Sequence, residues 1–301
     1  MNKLHKWSWL FIAVTIFALV IATGCGNTNK TAQSDNKPPS AAGGAPLTIK
    51  VLDIGQGDAI LIRTKDQVVL VDTGDVPTKE KLVSMLKSQG INSIDKLIIT
   101  HPHADHLGGA EAIFDNFTVK QIYDSGQKTT SNVYKQYLTQ IKKKNIPFTV
   151  VTAGMTIDLG NETVLKVLAP DKQLFTGTES DLNNNSIVTK LVYGEFSMLL
   201  TGDAEKESEE RMLHNDAAGL KSTLLKSGHH GSKSSSSVAF LQAVKPEAAL
   251  ISLGANNDYH HPHPSTLKKY NENKIKVYRT DTDGTLTVTT DGKTYTITKE
   301  R

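Results

Sequence analysis

Thr100-His101-Pro102-His103-Ala104-Asp105-His106-Leu107-Gly108-Gly109 packs four candidate metal ligands, His101, His103, Asp105 and His106, into six residues. It directly follows the apolar run Lys96-Leu-Ile-Ile-Thr100. That run predicts a short buried strand, so the ligands fall on the loop at its C-terminal end. In a helix, side chains share a face at spacings of three or four, whereas spacings of one and two converge only on irregular backbone. Pro102 keeps the residue before it out of helix, and Gly108-Gly109 let the chain turn tightly into the next segment. Imidazoles and a carboxylate at this density suit zinc or a similar divalent cation better than they suit a polar loop with accidental histidines.

Three further segments repeat the pattern of an apolar run ending in Asp or His. Ser197-Met-Leu-Leu-Thr201 leads into Gly202-Asp203, and Leu224-Leu-Lys-Ser-Gly228 leads into His229-His230-Gly231-Ser232. Ala248-Ala-Leu-Ile-Ser-Leu253 leads into Asn257-Asp-Tyr-His260-His261-Pro262-His263. Taken alone, Asp203 also suits the N-cap of a helix over residues 204–213. Upstream, 47–52, 59–63 and 67–71 read as strands. Asp53-Ile-Gly-Gln-Gly-Asp58 joins the first two, and Asp72-Thr-Gly74 closes the third. Gly55, Gly57 and Gly74 permit tight turns, and Asp58 and Asp72 are candidates for orienting ligating imidazoles from behind.

Between these blocks the apolar period changes to that of helices. One is predicted over 78–89, with Leu82, Met85 and Leu86 inward and Gly90 as its stop. Another spans 132–144, with Tyr134, Tyr137, Leu138 and Ile141 inward. Its closing Lys142, Lys143 and Lys144 suit the helix dipole better than an anionic substrate. The tail from 277 to 299 alternates β-branched and polar residues, with turn signals at Asp283-Gly284 and Asp291-Gly292.

At 301 residues, 38% apolar and 22% charged, the composition is that of an ordinary globular α/β protein. Residues 1–25 have a different character: Lys3, His5 and Lys6, an apolar run from Trp7 to Ala22, then Thr23-Gly24-Cys25. This is the layout of a secretory signal. The alternative is an uncleaved membrane anchor, since the run approaches spanning length. Residues 26–46 are rich in Asn, Ser, Gly, Ala and Pro and read as a disordered tether. The net charge is +3, two of which come from Lys3 and Lys6, so the chain beyond the signal carries about +1. That gives no electrostatic argument for a polyanionic partner. The single cysteine excludes an internal disulfide framework.

The four strand-end blocks resemble those of the metallo-β-lactamase fold. Asp53–Asp58, Leu200–Asp203, His229–Ser232 and Asn257–Pro262 are similar to the ComEC/competence-related hydrolase branch of that family. The resemblance covers about residues 47–298, within a hydrolase domain read over 47–301, and implies an αββα sandwich, two mixed β-sheets flanked by helices. It further implies that His101 and His103 hold one metal, and Asp105, His106 and His229 a second. Asp203 would bridge the two. His229 is preferred to His230 from the motif. The family's usual third histidine for the first metal is missing: no histidine lies between His106 and Asp203, and Asn183-Asn184-Asn185-Ser186 stands near its place. The first ion would then bind more weakly, take water or an amide oxygen, or be absent.

The implied cofactor is one or two divalent ions, zinc or manganese, with no organic cofactor. The implied chemistry is metal-assisted hydrolysis, with Asp105 or Asp203 holding the attacking water. His261 would stabilise developing charge or donate a proton to the leaving group. His260 and His263 are expected at the surface or behind the site's ligands. Ile21-Ala22-Thr23-Gly24-Cys25 resembles a bacterial lipobox with Ala22 where leucine is commoner. This implies a lipid anchor on Cys25 and a domain at the extracellular face of the membrane, or released from it. The expected substrate is a phosphodiester, DNA foremost. The alternatives are choline or wall-linked phosphodiesters, a β-lactam, and a surface module that binds DNA with little catalysis.

Overall fold

A computed structural model describes residues 46–301. The signal, Cys25 and all of the tether except Pro46 lie outside the described residues. Among the described residues no helix is long and apolar enough to cross a membrane.

Two mixed sheets face each other. The first has eight strands in the order Tyr295–Lys299, Leu286–Thr290, Leu47–Val51, Ile60–Arg63, Val68–Val71, Lys96–Ile99, Ile122–Asp124 and Phe148–Val150. It is antiparallel up to Val68–Val71 and parallel beyond. The second has seven, in the order Lys276–Arg279, Ala248–Ile251, Leu224–Lys226, Phe196–Leu200, Val188–Tyr193, Val164–Ala169 and Thr156–Asp158. Its first four strands are parallel and the rest antiparallel.

Three apolar clusters show the layers. Central strands such as Val68–Val71, Lys96–Ile99 and Ala248–Ile251 are apolar on both faces because a layer covers each side, whereas Leu286–Thr290 and Tyr295–Lys299 alternate with polar residues. Ile60 and Ile62 turn toward the second sheet, whereas Ala59 and Leu61 turn toward helices on the outer side. The outer helices Lys79–Ser88, Ala110–Asn116 and Asn132–Lys144 cover the first sheet through Leu82, Ile113 and Tyr137. Lys206–Asp216, Val238–Val244 and Pro264–Glu272 cover the second through Met212, Phe240 and Tyr270. Each fully buried aliphatic or aromatic side chain of this kind contributes about 1.5–3 kcal/mol. The result is the helix–sheet–sheet–helix sandwich expected from the sequence.

Several expectations need correction. Leu138 is 39% exposed rather than inward, because Tyr134, Tyr137 and Ile141 already fill the covered face of their helix. The motif loop is loop only as far as His103. Ala104–Leu107 forms one helical turn, so Asp105 and His106 sit at a helix start rather than on irregular backbone. The helix after Asp203 begins at Lys206, with Glu205 in the N-cap position, so Asp203 does not cap it. The tail contains a helical turn, Thr280–Asp283, between strands that belong to different sheets.

Candidate metal centre

The parallel strands Lys96–Ile99, Phe196–Leu200, Leu224–Lys226 and Ala248–Ile251 deliver their C-terminal loops to one edge of the sandwich. Backbone bonds fasten those loops together. The amide of Ile187 donates to Thr100 O across the sheets at 2.9 Å, and the amide of His229 donates to Gly202 O at 3.2 Å. The amide of Asp58 donates to Asp105 O at 3.1 Å, and that of Thr73 to His106 O at 2.7 Å. Gly57 sits under this clasp at φ +117°, where any Cβ would collide with the Asp105 carbonyl.

Three imidazoles are aimed by the hydrogen bonds at their backs. His106 Nδ1 donates to Asp72 Oδ2 at 2.8 Å. His230 Nδ1 donates to Ser252 O at 2.8 Å. The Thr100 hydroxyl gives its proton to Asp72, so His101 Nδ1 donates to Thr100 Oγ1 at 3.1 Å. Each bond fixes the tautomer and leaves Nε2 as the atom facing the cluster. Asp72 holds its place at φ +60°, with its other oxygen accepting from the Thr100 amide at 2.8 Å.

The Nε2 atoms converge on two carboxylates. Ligand atoms of Asp105, His106, Asp203 and His230 all lie within 4.8 Å of one another. Asp203 Oδ2 is 3.2 Å from His106 Nε2, 3.6 Å from His230 Nε2 and 3.9 Å from His101 Nε2. His101 Nε2 is in turn 3.0 Å from His103 Nδ1. Tetrahedral zinc sites, with bonds of 2.0–2.2 Å, place neighbouring ligands about 3.3 Å apart. His106 Nε2 and Asp203 Oδ1 are buried and have no hydrogen-bond partner. Such orphaned atoms are costly unless something meets them. A divalent cation would, and the donor set that fits one is Asp105, His106, Asp203 and His230; His101 and His103 stand beside it.

The electrostatics agree. Burial disfavours charge on Asp203, but His106, His230 and His229 outweigh it and hold the carboxyl well below its usual range. Asp105 is likewise depressed, against its burial, by His106 and His230. Burial opposes a charged His106 too, yet Asp203, Asp105 and Asp72 raise it well above an ordinary imidazole. His101, buried and beside His106, is held well below. Protons on imidazole thus balance the carboxylates, and a cation would take over that charge balance.

His229 and His230, of which the sequence favours His229 as ligand, sit differently in the structure. They occupy successive left-handed conformations, φ 46° and 52°, which sends the two rings in different directions. His230 is buried among the ligands. His229 is half-exposed, with Nδ1 2.9 Å from Glu205 Oε1 and Nε2 3.7 Å from Asp203 Oδ2. Of the two, His230 belongs to the group whose ligand atoms lie within 4.8 Å of one another.

Glu205, which the sequence did not single out, is held by the Asn183 amide at 2.8 Å. Asn184 Oδ1 accepts from the Ser208 amide at 3.2 Å and Asn185 Oδ1 from the Phe175 amide at 2.8 Å. Neither is free to stand in for the missing histidine. Lys226 was also missed. It is fully buried, with Nζ 2.9 Å from Asp58 Oδ2, and Asp58 Oδ1 lies 3.5 Å from His230 Nδ1. Its place in an apolar run gave no sign of that role.

A cavity of about 300 Å³ opens onto the cluster, lined by Gln56, His103, Asp105, Asp203, His230, Tyr259 and His261 among others. His261 is in the cavity wall as expected. Burial, then His229 and His230, push its imidazole down to about 4, and its Nδ1 has no partner. His263 caps the helix Pro264–Glu272, accepting from the Ser265 amide, and His260 is exposed.

Residues 52–255 match the Metallo-beta-lactamase superfamily. ComE operon protein 3 of Bacillus subtilis is 33% identical over 256 residues, which is 79% of this chain and 32% of that protein. Competence protein ComA of Neisseria gonorrhoeae is 29% identical over 261 residues, 82% of this chain and 33% of that protein. The chain thus spans about a third of the length of these relatives. Among solved structures, the metallo-beta-lactamase fold protein YhfI from Bacillus subtilis aligns with a TM-score of 0.53 at 13% identity, covering 78% of this chain and 96% of that one. At that identity the likeness speaks for the fold alone.

Proposed function

The chain belongs to the metallo-beta-lactamase superfamily of metal-dependent hydrolases, and from that premise we propose that it cleaves phosphodiester bonds, in DNA, on the outer side of the cell membrane. The observation that carries the hydrolase reading is the convergence of His106, His230, Asp105 and Asp203 with two buried ligand atoms left unpartnered. The substrate reading rests on relatives named for competence and recombination, processes whose material is DNA. The location rests on the basic-apolar-cysteine layout of residues 1–25, with Cys25 as the lipidated residue.

When bound, a divalent ion, zinc or manganese, would lower the pKa of water and neutralise charge on a phosphoryl oxygen. The chain's own residues do the positioning. Asp105 is the more accessible carboxylate of the cluster, its side chain 26% exposed against 1% for Asp203. Held ionised, it accepts a hydrogen bond from the attacking water and aligns it. His261, neutral near pH 7, donates a ring N–H to the phosphoryl or leaving oxygen from the opposite wall. Asp72, Ser252 and Thr100 keep the ligand rings from turning away.

The test is incubation with plasmid, single-stranded DNA and bis-p-nitrophenyl phosphate in the presence of manganese or zinc, beside Asp203→Ala. Hydrolysis by the wild type and loss of at least about a hundredfold in the variant is expected. DNA retained without cleavage, equally by both proteins, would instead support a binding module. Cleavage of choline or wall-linked diesters but not DNA would move the substrate.

A further inference from the structure

Three rings step outward from the cluster at nearly constant tilt. His230, buried, faces His261 with centroids 6.5 Å apart and planes 25° apart. His261, half-buried, faces Tyr259 at 5.7 Å and 24°. Tyr259 is 65% exposed, the most exposed large apolar side chain among the described residues. His261 lies against one side of its ring, which is otherwise largely exposed. A lone aromatic on a surface needs no explanation. This one belongs to the wall of the same cavity as Asp105, Asp203 and His230.

The segment carrying it is also fixed in advance. Asn257 Nδ2 donates to Gly254 O at 3.0 Å and to His261 O at 2.7 Å, while its Oδ1 accepts from the His261 amide at 2.9 Å. One asparagine therefore ties both ends of the loop around Tyr259. A preformed flat surface costs little ordering entropy when something lies on it.

We propose that Tyr259 is a stacking platform for an unpaired nucleobase next to the phosphate held at the cluster, so that the substrate is single-stranded nucleic acid rather than intact duplex. This rests on the phosphodiesterase reading and narrows it. A base paired and stacked within a duplex cannot present its face to a ring in a cavity wall; an unpaired one can, and every base has such a face. The platform carries no edge-reading group of its own, so it selects for bases over bare sugar-phosphate without selecting among sequences.

Two readouts on the full-length protein decide it. The first compares the p-nitrophenyl ester of thymidine 5′-phosphate with that of 1,2-dideoxyribose 5-phosphate, which share a leaving group and a sugar and differ in the base. The preference for the thymidine ester in kcat/KM should fall about 10- to 100-fold in Tyr259→Ala and survive in Tyr259→Trp. The second measures binding of oligothymidylate against an abasic oligonucleotide of equal length, both with phosphorothioate linkages that resist hydrolysis, so that the protein keeps its metal. The wild type should favour the base-bearing strand by a similar factor, and Tyr259→Ala should lose that preference. An unchanged preference in the binding measurement overturns the platform. If neither ester is hydrolysed while the binding preference holds, the phosphodiesterase reading fails and the platform stands.

Discussion

His230 Nε2 lies 3.2 Å from Asp105 Oδ2 although 125 residues separate them in the chain. That contact joins the loop after Lys96–Ile99 in one sheet to the turn after Leu224–Lys226 in the other. The site exists only when both sheets are in place.

If His230 is the ligand, its loss should matter more than that of its neighbour. His230→Ala is expected to strip metal from the protein and reduce diester hydrolysis by about a hundredfold or more. His229→Ala, which removes a ring held by Glu205, should retain bound metal. Metal content by atomic absorption beside activity decides between them. Metal lost from the His229 variant and kept by the His230 variant would return the ligand role to His229, as the motif alone suggests.

Asp72 touches no substrate, yet it aims His106 through a 2.8 Å bond. Outer-shell partners of this kind are typically worth about 10- to 100-fold in metal affinity. Asp72→Ala should weaken binding by that factor in a chelator competition, with far-ultraviolet circular dichroism unchanged. Undiminished affinity would mean that Thr100 and packing alone hold the ring.

Much of this arrangement is written locally and some of it is not. The helix Asn132–Lys144 ends where read because Ser131 caps the Tyr134 amide and Asn145 turns left-handed at its close. Central strands such as Ala248–Ile251 are legible as unbroken apolar runs, and the tail strands by their alternation. The choice between His229 and His230 is not, since adjacent residues in left-handed conformations point by backbone geometry rather than by spacing. Lys226 is illegible for another reason. It is buried only because Asp58, from the other sheet, waits for it.

That pair is a stability prediction. Removing one member of a buried ion pair strands the other and costs roughly 3–5 kcal/mol. Lys226→Met should therefore lower the denaturation midpoint sharply, and adding Asp58→Asn should recover part of the loss. A double variant no better than the single would show that Lys226 acts by packing its stem and not through Asp58.

Asp124 sets a pH dependence away from the metal cluster. It is buried at the end of Ile122–Asp124 with no cation beside it. Burial raises its carboxyl to about 6 against the restraint of the Gly126 amide and the Tyr137 hydroxyl. In the unfolded chain the group titrates near ~3.9. Below about pH 4 it is neutral in both states and costs nothing. Between about pH 4 and 6 the unfolded chain releases the proton and the folded chain keeps it, so stability falls as pH rises. Above about pH 6 the cost is complete, on the order of 3 kcal/mol for a shift of this size. Asparagine at this position still accepts from Gly126 and can donate to the Tyr137 oxygen. Asp124→Asn should thus melt above the wild type at pH 8, with the gap closing as the buffer is taken to pH 4. A gap that stays constant across that range, or a variant less stable at pH 8, would show that the carboxylate is satisfied where it is buried.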